Sequence, residues 1–335
     1  MTFSAADSRY DTIRFRRAGR SGLQLPEFSL GLWQNFGDNR SFTTQRDIVL
    51  RAFDLGVTHF DLANRYGPPS RSAEKNFGRI VREDLSPYRE EIVVTTKAGN
   101  PIGASPYLSG GSRKHLLSSL DISLRDLGLD YVDIFYSHSP DLNTPLEETV
   151  GALVSAVRSG KALYAGISNY GRDRALEAAH LLAAEGVPLL VHQSRYSILD
   201  QHIDRDGILD AATETGTGTI AYSPLAQGLL TDKYLSGSVP QDSRAADSAF
   251  LSANDITADY VSHAEELNRI AQERGQSLPQ LALQWVLRRP DVTSALIGAS
   301  SVAQLEHNLA ATGFAELSTD ELARIDAHAV DLSPR

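Results

Sequence analysis

Residues 131–184 read YVDIFYSHSPDLNTPLEETVGALVSAVRSGKALYAGISNYGRDRALEAAHLLAA. An apolar run rich in β-branched and aromatic residues, Tyr131–Tyr136, gives way to polar residues and then to an amphipathic stretch, Pro145–Ser159. The same succession follows at once, with Ala162–Ile167, a polar break and Arg172–Ala184. A short apolar run bounded by turn residues suits a strand, and a longer run with helical periodicity suits a helix. The stretch therefore reads as two consecutive βα units, the building block of a parallel sheet covered by helices.

The alternation extends in both directions. Upstream, Phe28–Leu32 precedes a helix over Thr44–Leu55 that ends at Gly56, and Val57–Leu62 precedes one over Ser72–Glu83. Glu91–Thr96 precedes Ser112–Leu127, where Leu116, Leu117, Leu120, Leu124 and Leu127 recur at helical spacing and Gly128 closes the helix. Downstream, Pro188–Val191 leads to Gly207–Thr215. Gly218–Tyr222 leads to a long irregular stretch, Leu225–Thr257, and then to helices over Ala258–Arg274 and Pro279–Arg288. Thr293–Ile297 leads to Val302–Ala311. Eight such units predict an α/β fold, a closed (β/α)8 TIM barrel forming a single domain over residues 1–335. The rival, an open doubly wound sheet, more often stops at about five to seven strands.

Ile13–Pro26, with its Arg-Ser-Gly turn, predicts an N-terminal hairpin that caps the barrel bottom, and Thr319–Ala329 predicts a helix outside the eightfold count. Gly216, Gly218 and Ala221 spell G-x-G-x-x-A but precede a strand. A dinucleotide fingerprint follows a strand and opens a helix, so these residues predict a turn into the seventh strand. A loop as long as Leu225–Thr257 in a compact domain is usually functional, and it is expected to fold over a bound cofactor.

Composition narrows the function classes. The 335 residues are 41% hydrophobic and 22% charged, the balance of a globular protein. A net charge of −10 disfavours nucleic acid and anionic membrane surfaces as partners. With no cysteine there are no disulfides, zinc–thiolate sites, iron–sulfur clusters or cysteine nucleophiles. The residues Met1–Arg20 are polar and Arg-rich, and no apolar run approaches the length of a membrane span, so the expectation is a cytoplasmic protein. The histidines lack metal-ligand spacing, and no metal is expected.

In such a barrel the active site lies where the strands end. The polar residues there are Asp61, Asn64 and Tyr66 after the second strand, Lys97 after the third, and His138 after the fourth. Ser168 and Asn169 follow the fifth, Gln193 the sixth, Tyr222 and Ser223 the seventh, and Gly298 and Ser300 the eighth. Asp, Lys and His on three adjacent strands beside a Tyr suit proton transfer to a carbonyl oxygen. A phenol ordinarily titrates near 10. An ammonium about 4 Å away contributes about 4 kcal/mol at an effective dielectric of 20, which predicts a phenol brought down towards working pH. An aspartate holds the lysine charged and oriented, and a histidine donor polarises the carbonyl. Hydride has to come from a cofactor, because no side chain supplies it. Taken alone, Asp61–Lys97 also reads as a structural ion pair and His138 as a core histidine. Their common register with Tyr66 favours chemistry. Trp285, His59 and His192 read as structural, and Tyr107 and Tyr196 are further candidates for substrate contact.

The stretches HFDLANRYG, VVTTKAG and VDIFYSH carry a resemblance to the aldo-keto reductase superfamily, whose tetrad is Asp, Tyr, Lys and His. RSGLQLPEFSLGLW, AGISNY, YSPLAQGLLTDKY and LIGASSVAQLEHN match in order, so the resemblance runs from about Ile13 to His328. YGPPSRSAEKNFGR, YLSGGSRKHLLSSLD and DYVDIFYSHSPD look most like the bacterial L-glyceraldehyde 3-phosphate reductases, with similarity also to potassium-channel β-subunits.

The resemblance implies that Tyr66 is the proton donor, that Asp61 and Lys97 tune it, and that His138 orients the carbonyl. It implies NADPH as cofactor. Ser168, Asn169 and Gln193 would hold the nicotinamide carboxamide, with Asp61 beside it, and Tyr222 would stack on the ring. Ser223, Pro224, Leu225, Gln227 and Gly228 would line the pyrophosphate. Lys233, Arg244, Ser300 and Gln304 would surround the adenosine 2′-phosphate, Asn308 would contact adenine, and Gly298 would also bind the cofactor. Trp33 would lie beside substrate and cofactor, and Trp33, Tyr66 and His138 would face the substrate. His307 stands where the family often has Glu, and Asn100 where close relatives often carry an aromatic residue. The implied partners are a small carbonyl substrate and further copies of the chain, as a tetramer or octamer. For a phosphorylated substrate, Arg65, Arg71, Arg113 and Lys114 are candidate cations. The alternative expectation is an NADPH-binding redox sensor that contacts a partner, as channel β-subunits do.

Overall fold

Hydrogen-bond register joins β3 (Phe28–Gly31), β4 (His59–Asp61), β5 (Val93–Ala98), β6 (Val132–Ser137), β7 (Ala162–Ser168), β8 (Leu189–Arg195), β9 (Gly218–Tyr222) and β10 (Val292–Ile297) in chain order, and β10 pairs back onto β3. All eight pairings are parallel, so the sheet closes into the expected (β/α)8 barrel with helices outside. The structure is a computed structural model that describes residues 3–241, 243–247 and 251–330. No helix among the described residues is long and apolar enough to cross a membrane.

The helices form where the sequence supplies periodicity and caps. Ser112 accepts a hydrogen bond from the His115 N–H at 3.3 Å, opening the helix Arg113–Leu127. Gly128 ends it at φ 68°, a left-handed conformation that only glycine adopts at little cost. The wall of the barrel packs outward through Phe60, Val94 and Phe135 into the helical layer, while Ile134, Tyr136, Val191 and Ile220 fill the interior. Tyr136 fits there because Gly166 on the neighbouring strand has no Cβ: one placed there would lie 2.6 Å from its ring.

The predicted hairpin is present, with β1 (Phe15–Arg17) antiparallel to β2 (Gln24–Pro26). It closes the bottom of the barrel. The Arg16 guanidinium donates to the carbonyls of Leu287 and Val292 at 2.8 Å each, at the entry to β10. The Arg20 N–H donates to the Gly216 carbonyl at 2.9 Å, and a Cβ on Gly218 would lie 2.9 Å from the Gly19 nitrogen. The G-x-G-x-x-A match is therefore the seat of the hairpin, at the end of the barrel opposite the site.

Several boundaries differ from expectation for physical reasons. β8 runs to Arg195, four residues past the apolar run, because His192, Gln193 and Ser194 are polar yet buried. The helix Ser72–Ile80 continues as a wider π turn over Val81–Leu85. In the stretch after β9, Leu229, Leu230 and Tyr234 are buried, and the Tyr260 hydroxyl donates to the Leu229 carbonyl at 2.6 Å.

Candidate active site

Strand alternation places the chemistry. On β5 successive side chains point to opposite faces, so Thr95 and Lys97 face the barrel interior while Thr96 faces the helices. Register sets Asp61 of β4 beside Thr95, and Lys97 beside Tyr136 of β6. Lys97 is completely buried, and its three protons are all used: Nζ pairs with Asp61 Oδ2 and donates to the Leu62 carbonyl at 2.8 Å and to Tyr66 Oη at 3.2 Å. Asp61 Oδ1 accepts from Thr95 Oγ1 at 2.8 Å and from Gln193 Nε2 at 3.0 Å. His138, on the turn that follows β6, stands edge-on to Tyr66 with ring centroids 5.9 Å apart, and Trp33 flanks Tyr66 at 6.4 Å. Tyr66, Lys97, Asp61 and His138 thus converge at the top of the barrel.

Electrostatics corrects one expectation. The Tyr66 phenol is held well above its ordinary value, chiefly by burial and then by the Asp61 charge. The lysine does not prevail because Asp61 already compensates it: the phenol faces an ion pair rather than a bare cation, and a phenolate would be a second buried anion. Tyr66 therefore keeps its proton, the state a donor needs. Burial pulls Lys97 down and Asp61 opposes that. Burial, with the charges of Lys97 and Arg65, holds His138 well below the usual imidazole range, so the ring is neutral.

The residues matched to a nicotinamide cofactor continue around the rim from β7 to β10. Asn169, at φ 64°, donates through Nδ2 to the His138 carbonyl at 2.9 Å and to Ser168 Oγ at 3.1 Å, while its Oδ1 accepts from the Tyr222 hydroxyl at 2.7 Å. Ser223, Ala226 and Gln227 follow β9 with φ of 53°, 46° and 61°, and Gly228 with 104°. Left-handed non-glycine residues are strained and cluster at functional sites; here the Ala226 and Gly228 N–H groups donate to the Ser223 and Leu225 carbonyls at 2.9 and 2.8 Å, which holds the turn in shape. Gln304 Oε1 accepts from the Ser300 N–H at 2.8 Å and from Ser300 Oγ at 3.0 Å at the start of the helix Val302–Leu309. Asn308 is buried with Nδ2 lacking a partner among the described residues, an orphaned donor at the place matched to adenine. These features fit a dinucleotide. Lys233 is exposed in the loop after β9. Arg244 opens a short helix, and its side chain lies outside the described part.

Other residues resolve differently. Gln193 reaches Asp61, so it links the matched carboxamide position to the acid. His307 is tied to Ser277 Oγ at 2.7 Å. Tyr196 is fully buried, bonded to Asp204 at 2.6 Å and to Arg288 at 3.0 Å, and so is no substrate contact. Trp285 is buried against it. His59 bonds Ser29 at 2.7 Å, and His192 accepts from the Tyr170 N–H at 3.3 Å, so both are internal links. Asn64 is buried with no protein partner for its amide. Sequence reasoning missed Thr95 and the Leu62 carbonyl. A hydroxyl two residues before the lysine, on the same face of the strand, was the available signal for Thr95.

The Aldo/keto reductase family model matches residues 27–330. The chain is 52% identical over 335 residues to an L-glyceraldehyde 3-phosphate reductase of Escherichia coli (strain K12), covering 99% of this chain and 96% of that protein. It is 35% identical over 314 residues to a probable voltage-gated potassium channel subunit beta of Arabidopsis thaliana, covering 92% and 93% of the two chains. A putative subunit of the same kind from Schizosaccharomyces pombe is 33% identical over 322 residues, covering 93% and 92%.

Proposed function

The chain belongs to the aldo/keto reductase family, and from that premise we propose that it reduces small aldehydes and ketones with NADPH, L-glyceraldehyde 3-phosphate and methylglyoxal among them. It is an oxidoreductase. The observation that supports the reading best is the bond from Lys97 Nζ to Tyr66 Oη, with Asp61 behind the lysine and neutral His138 beside the phenol.

The cofactor, when bound, supplies the hydride. The chain's own residues do the rest. Tyr66 gives its proton to the carbonyl oxygen as negative charge develops there, and the Lys97 ammonium stabilises the phenolate left behind. Asp61, held by Thr95 and Gln193, keeps Lys97 charged and in place. The neutral His138 ring orients the carbonyl by a hydrogen bond. Ser168, Asn169 and Gln193 would support the nicotinamide end, Tyr222 its ring, and the turn from Ser223 to Gly228 the pyrophosphate. Lys233, Ser300 and Gln304, at positions matched to the 2′-phosphate, would favour NADPH over NADH.

A second reading, a redox-sensing module that binds a partner, is favoured by the identity to proteins named as potassium channel β-subunits. Steady-state oxidation of NADPH and of NADH with methylglyoxal, DL-glyceraldehyde 3-phosphate and a nitrobenzaldehyde separates the two. Turnover with NADPH preference is the expected result. Tight NADPH binding without turnover on any of them overturns the reductase reading in favour of the sensor.

A further inference from the structure

We propose that Arg65 determines substrate specificity: its guanidinium docks the oxyanion, phosphate or carboxylate, of a small carbonyl substrate while Tyr66 and His138 hold the carbonyl. The inference rests on the reductase reading and deepens it.

The argument starts from the four cations near the mouth. Arg113 donates to Ser155 Oγ at 2.6 Å on the neighbouring helix Leu146–Arg158. The Lys114 ammonium lies 5.4 Å from the ring of Tyr107, itself 63% exposed, at the outer surface. Arg71 starts the helix Ser72–Ile80, and its charge is felt at Glu74 and His115. Arg65 differs from all three. It occupies the tight turn Ala63–Tyr66, closed by the bond from the Tyr66 N–H to the Ala63 carbonyl at 2.9 Å, so its backbone adjoins the proton donor.

Its charge lowers both the Tyr66 phenol and the His138 ring, which follow β4 and β6, so it lies within electrostatic reach of the donor and of the orienting residue. It is half-buried, and among the described residues no carboxylate pairs with it and no carbonyl accepts from it. A half-buried cation costs free energy until an anion meets it. Guanidinium is weakly hydrated and presents a planar fork that matches a phosphate or carboxylate with two parallel bonds. The residues matched to the cofactor's pyrophosphate and 2′-phosphate follow β9 and β10, whereas Arg65 follows β4 on the donor side, so the anion it awaits is the substrate's.

The test compares glyceraldehyde 3-phosphate with unphosphorylated glyceraldehyde in wild type, Arg65→Ala and Arg65→Lys. The ratio of kcat/KM for the phosphorylated over the unphosphorylated aldehyde should fall about a hundredfold in R65A and about tenfold in R65K, which keeps the charge but loses the fork. A ratio unchanged in both variants overturns the proposal, while wild type that turns over neither aldehyde overturns the reductase reading instead. A readout without turnover decides the anion site in that case. With nicotinamide cofactor saturating, inorganic phosphate should raise the Tm of wild type above that in chloride of equal ionic strength, and the rise should vanish in R65A. An equal rise in R65A overturns the proposal.

Discussion

Strand β5 carries two buried carboxyl environments, one on each face. Inside the barrel, Asp61 meets Thr95 and the Lys97 ammonium. Outside, Glu74 accepts from Thr96 Oγ1 at 2.6 Å, and its other oxygen has no hydrogen-bond partner among the described residues. Both acids are completely buried. Burial raises Glu74 to about 7 against the weaker pull of Thr96, Ser123 and Arg71, with Asp126 adding to the rise. The inner acid has a cation in contact, and the outer one has only hydroxyls and a distant arginine. The contrast shows that burial alone does not decide whether a carboxyl serves as an anion; the neighbour one strand residue away does.

The largest effect comes from removing what the inner anion ultimately serves. Tyr66→Phe should lower kcat about a thousandfold while leaving NADPH affinity, measured by fluorescence titration, nearly intact. Retained turnover would remove Tyr66 from the donor role. Lys97→Met turns the inner site into a copy of the outer one. It leaves Asp61 buried without a cation and should cost about 3–5 kcal/mol in urea unfolding, with activity lost as well. Stability equal to wild type would mean that the pairing does not hold Asp61 as an anion.

Glu74→Gln sharpens the other half of the comparison. In the fold Glu74 keeps its proton up to about pH 7, whereas the ordinary glutamate value is 4.5. The folded state therefore binds the extra proton. The associated stability is full below about 4.5 and is lost as pH rises through about 7, roughly 3 kcal/mol in all. Unfolding of wild type and variant at pH 5 and pH 8 should show wild type losing that amount relative to the glutamine form. Parallel pH dependence in the two proteins would refute it. The smallest effect separates the two hydroxyls. Thr95→Val, which strips a bond from a charged acceptor, should cost about 2 kcal/mol, and Thr96→Val, facing a protonated one, about 1 kcal/mol. Equal costs would erase the distinction between the two faces.

The barrel and the tetrad were legible because their signals are local. An apolar run followed by a polar residue marks a strand and its rim, and Asp61, Lys97 and His138 each end such a run. The helix Arg172–Ala184 matched at both ends because glycines bound it, Gly171 before it and Gly186, at φ 70°, just after it. What escaped depends on register between strands. Thr95 holds Asp61 only because β4 and β5 set them side by side. Gln193 reaches Asp61 across the barrel, from a strand far along the chain. The extension of β8 was hidden because hydropathy stops at Val191 while the barrel interior there accepts polar side chains. The direction in which Tyr66 titrates also lay beyond sequence, since it depends on how completely Asp61 cancels Lys97.

The seam of the barrel has a consequence for biosynthesis. Phe28 on β3 finds its partner only in Ala295 on β10, near the other end of the chain. At roughly 5–20 residues per second on the ribosome, one flank of β3 waits on the order of ten seconds to a minute for its mate. An unpaired strand is a template for wrong pairing, and brevity is one defence. β3 has four residues and β4 three, the shortest strands in the barrel wall. The nascent chain thus exposes one of its least adhesive edges for the longest time, and the ring can close only after β10 has been made.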